Sequence, residues 1–140
     1  MSNNQNTAKN VAMLNHLIDL TKSDQIIWNF LDKNPDLIKK AQVFNESNIN
    51  MDDPITAIDR KSSFYFKISN SYVMVYVPAS NFMSQPIFKI ISDSEVYTNE
   101  LCLKDVSYVS LLTQLLNVIK SKYEDPDEIV DAILRMPVKK

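Results

Sequence analysis

The sequence predicts an α+β fold: an antiparallel β-meander of about four to five strands with N-terminal and C-terminal helices packed on one face. Segments of alternating polarity, which indicate strands, are concentrated in the middle of the chain. Segments with apolar residues every three or four positions, which indicate helices, lie at both ends. Helices that precede and follow a run of strands, instead of alternating with them, are typical of α+β architecture.

The N-terminal part of the chain begins polar and then becomes helical. Residues 1–6 are predicted to form a disordered tail, and residues 7–140 a single domain. From Thr7 onward one stripe of residues repeats at helical spacing, and we expect this helix to end near Lys22. The stripe consists of Val11, Leu14, Leu17, Ile18 and Thr21.

The next segment is harder to assign. The apolar residues of 25–31 fit both a helical and a strand period, so spacing leaves the two alternatives open. Asn34 followed by Pro35 combines an N-cap with a first-turn proline and predicts a short helix over residues 35–42. Residues 45–62 have no sustained period and are predicted to be a long connection.

The centre of the chain predicts a β-hairpin. Residues 64–69 and 72–77 each alternate between an apolar set and a set that carries tyrosine. The pairs expected from a two-residue turn at Asn70-Ser71 are 68 with 73, 66 with 75 and 64 with 77. All three pairs are apolar, so the valines of the second strand are expected to face the core.

A second hairpin is predicted to follow. Its strands cover residues 86–92 and 95–101, and Asp93-Ser94 is expected to form a two-residue turn between them. Apolar residues occur on both faces of these two strands, which predicts a sheet that is covered on both sides.

Two helices are predicted to end the chain. The first covers residues 105–122. Asp125, Pro126 and Glu128 indicate the start of the second, because they combine an N-cap, a first-turn proline and an acidic third position. Pro137 is expected to end it. The apolar residues expected to pack against the rest of the domain are Ile129, Val130, Ile133 and Leu134.

The composition excludes several classes of function. The chain has no glycine, which phosphate-binding loops and dinucleotide fingerprints need where the backbone approaches a ligand. One cysteine and one histidine exclude a disulfide framework and a Cys/His zinc cluster within one chain. The net charge is -2 and no segment is a basic arm. We therefore expect no cofactor, no metal and no enzymatic activity.

The residues that could support catalysis have simpler structural interpretations. His16 has no nucleophile at a recognised spacing and is interpreted as a partly exposed helix residue. Cys102 lies between leucines, which favours packing over reactivity. The carboxylates of residues 124–131 could bind a cation or act on glycosides, but they also explain a helix start. An enzyme that uses them is the least favoured function.

The tyrosine-bearing face of the predicted sheet is the candidate interaction surface. Monomers rarely expose contiguous apolar patches of more than roughly a few hundred Å², so something should cover this face. Two covers remain open: the chain itself, through residues 23–62 or the first helix, and a protein partner or second copy. The candidate surface consists of Tyr65, Lys67, Tyr72, Met74, Tyr76, Ile87, Ile91 and Val96.

Nucleic-acid binding is the weaker alternative. Arg60 and Lys61 precede alternating aromatic residues, a pattern found on single-strand binding platforms, and Lys67 lies on the same strand. The glycines of an RNA-recognition motif are missing, and the phenylalanines are needed for the core. No apolar run reaches the ~20 residues that cross a bilayer, and residues 1–10 lack signal-peptide features. We expect a cytoplasmic protein without membrane contact.

The succession LTKSDQIIW, YFKISNSYVMVYV, FKIISDSEVY, VSLLTQLLNVIKSK and DEIVDAIL resembles the plan of small uncharacterised bacterial α+β proteins. In those proteins an N-terminal helix leads to a Trp-containing strand, two hairpins and C-terminal helices. The resemblance covers most of the chain except roughly residues 32–60, and Ser71 and Ser94 replace the glycines usual in such turns. It implies an α+β fold, favours a strand over residues 25–31, and implies no activity.

These observations together favour a small non-catalytic protein of a bacterial cytoplasm. We expect it to bind a protein partner or itself through the candidate surface, with a homodimer as one form of that association. A mobile element or prophage is one origin consistent with such a protein.

Overall fold

A five-stranded antiparallel sheet forms the centre of the molecule, with its strands in the order β1-β2-β3-β4-β5. The computed structural model describes residues 4–43, 54–79, 84–93, 100–123 and 126–139. Each strand lies beside its neighbour in the chain, which confirms the predicted meander and the α+β class. The strands are β1 (Asn29–Phe30), β2 (Phe64–Ile68), β3 (Ser71–Tyr76), β4 (Ile87–Ser92) and β5 (Glu100–Leu103).

Four α-helices accompany the sheet: α1 (Asn4–Lys22), α2 (Pro35–Lys40), α3 (Val109–Lys120) and α4 (Pro126–Arg135). The helix α1 begins at Asn4, so residues 4–6, expected to be disordered, are helical, whereas residues 1–3 lie outside the described part. It ends where expected because Asp24 adopts the left-handed conformation (φ 62°). The predicted cap of α2 is confirmed, since Asn34 accepts a hydrogen bond from the Leu37 amide at 3.2 Å.

The helices α1 and α3 pack on one face of the sheet and enclose the first core. Val73 and Val75 of β3 face this core, as the alternation predicted. Trp28 lies edge-on against Phe66, with ring centroids 4.6 Å apart, and donates a hydrogen bond to Thr21 Oγ1 at 3.0 Å. Only Asn29 and Phe30 of the ambiguous segment 25–31 form a strand.

The register of the central hairpin differs from the predicted one by two residues. Phe66 pairs with Val73 and Ile68 with Ser71, so the turn residues are Ser69 and Asn70. Ser69 supplies the positive φ (55°) that a two-residue hairpin turn requires at its first central position. A shift of two keeps every side chain on its predicted face, so the polarity pattern could not distinguish the two registers.

The predicted two-residue turn at Asp93-Ser94 is wrong. The partner of Ile91 is Glu100, so the connection between β4 and β5 is longer and β5 begins later than expected. Residues 94–99 lie outside the described part. The Asp93 amide instead donates a hydrogen bond to the Asn70 carbonyl at 2.7 Å, which ties the end of β4 to the first hairpin.

The second face of the sheet is covered by the chain itself. Residues 31–43 and 54–58, which we call the cover segment, contain the turn Leu31–Lys33, the helix α2 and the turn Pro54–Ala57. Residues 44–53 lie outside the described part. The buried side chains that the cover segment contributes are Leu31, Leu37, Ile38, Ala41, Val43, Ala57 and Ile58. Part of the predicted long connection is therefore a structural layer of the fold.

Candidate interaction surface

The tyrosine-bearing sheet face offers little surface to a partner. A second hydrophobic core lies between the sheet and the cover segment. It buries four of the eight candidate residues: Met74, Tyr76, Ile87 and Ile91. Of the two covers that the sequence left open, the chain itself supplies the one over these four side chains. Val96 lies outside the described residues. The remaining three candidates lie at the rim of this core.

A buried lysine fastens the cover segment to the sheet. Lys89, on β4, keeps 5% of its side-chain exposure, and its Nζ donates to the Ala41 carbonyl at 2.8 Å, just after the last turn of α2. The same ammonium lies 3.1 Å from Glu100 Oε1 and 5.8 Å from the Tyr76 ring centroid. A buried charge with these partners holds α2 in one position over the sheet. No feature of the sequence indicated this contact, because Lys89 occupies an alternating position like any surface lysine.

The exposed rim of this face is a polar cluster. The rings of Tyr65 and Tyr72 lie 6.2 Å apart, and the Lys67 Nζ lies 5.3 Å from the Tyr72 centroid. Lys67 also lies 3.1 Å from Asp93, and Lys40 of α2 lies 3.5 Å from the same carboxylate. The hydrogen bond between Lys67 and Asp93 raises the pKa of the lysine and lowers the pKa of the carboxyl group. Through Asp93, this cluster joins α2 to β2 and to the end of β4.

The residues considered for catalysis are not brought together. His16 is exposed on α1, and Cys102 lies half-buried on β5. Asp127, Glu128 and Asp131 are exposed along α4, while Glu124 and Asp125 lie outside the described residues. Within the described ranges, no group of three or more His, Cys, Asp or Glu side chains is arranged to hold a metal ion.

The basic residues considered for nucleic-acid binding are partly neutralised. The Nε of Arg60 donates a hydrogen bond to Asp32 Oδ2 at 2.9 Å, and Lys67 pairs with Asp93. Lys61 is exposed in the 3-10 turn Arg60–Ser62, which precedes β2. Because phosphate binding depends on uncompensated positive charge, this arrangement gives the nucleic-acid alternative no added support.

The largest deviation from the sequence analysis is in α4. Its apolar side was expected to be buried, yet every described residue from Asp127 to Lys139 is exposed. The helix is strongly amphipathic, because its large aliphatic residues fall within about 140° of its circumference and its acidic residues lie outside this arc. The exposed apolar residues of this region are Ile129, Val130, Ile133, Leu134, Met136 and Val138. Together they form what we call the α4 stripe.

The point at which α4 leaves the body of the protein is fixed. Tyr123 stacks on Phe64, with centroids 5.8 Å apart and planes 11° from parallel, and lies 4.9 Å from Phe30. Its partial burial raises the pKa of the phenol. The chain is therefore anchored in the first core three residues before α4 begins.

An open groove of about 990 Å³ lies at the other end of the helix layer. It is formed by the first half of α1, the strands β4 and β5, and the loop that leads to α3. Its apolar floor includes Met13, Ile90 and Leu101, each of which is only partly buried against the first core. Lys9 and Lys104 stand exposed among its lining residues. The sequence could not have located this groove, because its walls come from three separate segments of the chain.

Comparisons with protein-family models, with curated proteins and with solved structures find no match to this chain. The resemblance to small bacterial α+β proteins therefore stays a prediction. Among the described helices, none combines the length and the apolar character needed to cross a membrane.

Proposed function

We propose that this chain is a non-catalytic protein–protein interaction module of the cytoplasm, and that α4 is its binding element. The observation that carries the proposal is the α4 stripe: four of its residues lie on one side of α4, Met136 and Val138 follow directly after the helix, and all six are exposed. Apolar side chains scattered singly over a surface are ordinary, whereas a contiguous set on one helix is typical of a helix that docks into a groove.

The rest of the molecule supports the same proposal. Both faces of the sheet are filled by the chain's own layers, so the body needs no partner to complete its cores. The apolar surface that remains is concentrated on α4, whose helical start at Pro126 is specified independently of any packing. An element that forms a helix alone and leaves its apolar side open is suited to binding.

The proposal is tested with the purified chain and its Ile133→Glu/Leu134→Glu variant. Both positions are exposed, so the variant should fold, which its circular dichroism spectrum checks. The matched control is Thr113→Glu/Gln114→Glu, which adds the same charge at exposed positions of α3. Self-association is measured by sedimentation velocity. Binding to other proteins is measured by affinity capture, followed by reconstitution of each complex from two purified components.

Removing two apolar contacts of about 1.5 kcal/mol each should weaken binding about 100-fold. We expect this loss for the Ile133→Glu/Leu134→Glu variant and unchanged binding for the control. The proposal is rejected if the α4 variant binds as tightly as the parent chain, or if neither self-association nor a reconstituted complex is found.

A further inference from the structure

The groove and the α4 stripe lie at opposite ends of the helix layer. The helices α1 and α3 run side by side in the same direction: Asn10 donates a hydrogen bond to the Tyr108 hydroxyl at one end, and Lys122 donates one to the Lys22 carbonyl at the other. Tyr108 lines the groove, whereas Tyr123 anchors the start of α4. About 20 Å of helix separates these two tyrosines.

This separation keeps all but the end of α4 away from the groove of its own chain. Residues 124–125 span at most about 10 Å, so the first turn of α4 stays near the far end of α3. If α4 folded back, its length of about 15 Å would lay the α4 stripe along the outer side of α1 and α3. The exposed residues on that side are polar, among them Asn15, His16, Asp19, Thr113, Gln114 and Asn117. An apolar helix face gains nothing by covering them.

The groove of another copy offers what the α4 stripe lacks. Its floor is apolar, through Met13, Ile90 and Leu101. The charges are complementary as well, because Asp127 and Asp131 border the α4 stripe, about 20° and 60° around the helix from Leu134, while Lys9 and Lys104 stand exposed on the groove. Asp105 also lines the groove, but its carboxylate already accepts the Ser107 amide as a helix cap.

The surface area favours a reciprocal arrangement. At about 60–120 Å² of apolar surface for each aliphatic side chain, the α4 stripe can remove roughly 500 Å² from water. A single docking event is therefore below the ~800 Å² per partner of a standard interface. Two events related by a two-fold axis bury an α4 and a groove on each copy, which doubles this area. The two-fold arrangement is also closed: both α4 stripes and both grooves are occupied, so no docking surface remains that could add further copies and form a fibre.

We propose that the chain forms a two-fold dimer in which each copy lays α4 into the groove of the other. This inference rests on the proposed function and names the partner as a second copy of the same chain. It differs from a simple pairing of two α4 helices, which would leave both grooves empty.

The test uses two variants that damage different halves of the contact. Ile133→Glu/Leu134→Glu damages α4, and Lys9→Glu/Lys104→Glu reverses the charge of the groove. All four positions are exposed, so neither variant should disturb the fold. Lys61→Glu/Lys120→Glu, with the same change of charge at exposed positions away from the groove, is the control. Molar mass is measured by sedimentation equilibrium from about 1 µM to about 1 mM, the range over which weak interfaces dissociate.

We expect the parent chain and the control to dimerise and each damaged variant to be weakened at least tenfold. An equimolar mixture of the two damaged variants should form mixed dimers that are tighter than the dimers of either variant and weaker than the parent dimer, because each mixed pair keeps one intact α4 opposite one intact groove. A parent chain that stays monomeric overturns the dimer. The proposed function survives that result if a reconstituted complex with another protein still depends on α4. A dimer that only the α4 variant weakens, with no rescue on mixing, overturns the groove and indicates direct pairing of α4 helices.

Discussion

The ion pair between Lys89, the buried lysine of β4, and Glu100 contributes to stability by an amount that can be estimated from its geometry. Replacing Glu100 by Gln leaves the Lys89 ammonium in place, with its hydrogen bond to the Ala41 carbonyl, but removes the negative charge 3.1 Å away. At an effective dielectric constant of about 20, two unit charges at this distance attract each other by about 5 kcal/mol. Glu100 keeps 41% of its side-chain exposure, so water screens much of this attraction. We expect Glu100→Gln to lower the free energy of unfolding by about 1–2 kcal/mol.

The chain contains a matched control for this substitution. Lys67 and Asp93 are also 3.1 Å apart, but the lysine side chain is 48% exposed instead of 5%. Asp93→Asn therefore removes a charge from an ion pair that is equally close but more exposed to solvent. We expect its urea midpoint to stay within the error of the parent value, because exposed ion pairs contribute little to stability.

A double-mutant cycle isolates the coupling. In the Lys89→Met background no buried ammonium remains, so adding Glu100→Gln should change the free energy of unfolding by less than about 0.5 kcal/mol. Urea unfolding followed by Trp28 fluorescence supplies the four free energies, provided that the denaturant slope is unchanged. Equal effects of Glu100→Gln in both backgrounds, or equal effects of Glu100→Gln and Asp93→Asn, would refute the assignment of Lys89 as the fastener of the cover segment.

Two further expectations concern the first core and the rim. Thr21→Val removes the acceptor of the buried Trp28 indole N–H and should cost about 1–3 kcal/mol, whereas Thr21→Ser keeps the hydroxyl and should cost about 1 kcal/mol or less in the same urea titration. Because Lys67 lowers the pKa of Asp93, their pair adds stability above the unfolded-state pKa of about 4, and this is lost as pH falls through the lower folded-state value. Any difference between the urea midpoints of the parent and Asp93→Asn should therefore shrink below about pH 4, and a difference that grows there would contradict the pKa direction.

The sequence predicted which side of each central strand faces which layer, but not how the strands align. Val73 and Val75 occupy the first core because a period of two assigns faces unambiguously. Register depends on the turn, and the left-handed residue turned out to be Ser69. Serine carries no special preference for that conformation, so no local signal identified it.

The sequence predicted the helix α2 and allowed residues 23–62 as a cover, but the arrangement of the cover segment on the sheet could not be predicted, because its pieces are too short for any period to emerge. The helix α2 has six residues and the two 3-10 turns have three and four, so each contributes only one or two buried side chains. Hydrophobic periodicity is detected over windows of roughly 11–18 residues, which are longer than any of these elements. Each window therefore mixes an element with its neighbours, and the period of the element is lost. The position of these elements is fixed by the tertiary contact of Lys89 with Ala41, whereas the start of α2 is fixed locally by its cap at Asn34.

What could not be predicted for α4 differs from the two cases above. The helix and its apolar stripe are both evident in the sequence, but the surface against which the stripe packs is not. A hydrophobic period shows that a helix has one apolar side. It does not show whether that side can reach a complementary apolar surface of the same chain. Here the direction of α3 decides the matter. It carries the chain away from the groove beside Tyr108 and ends in the core at Tyr123, with two residues left before Pro126. If α3 ran the opposite way, α4 would start beside that groove and could complete its own monomer. Because it runs as it does, the counterpart that we propose for these apolar residues is the groove of another copy.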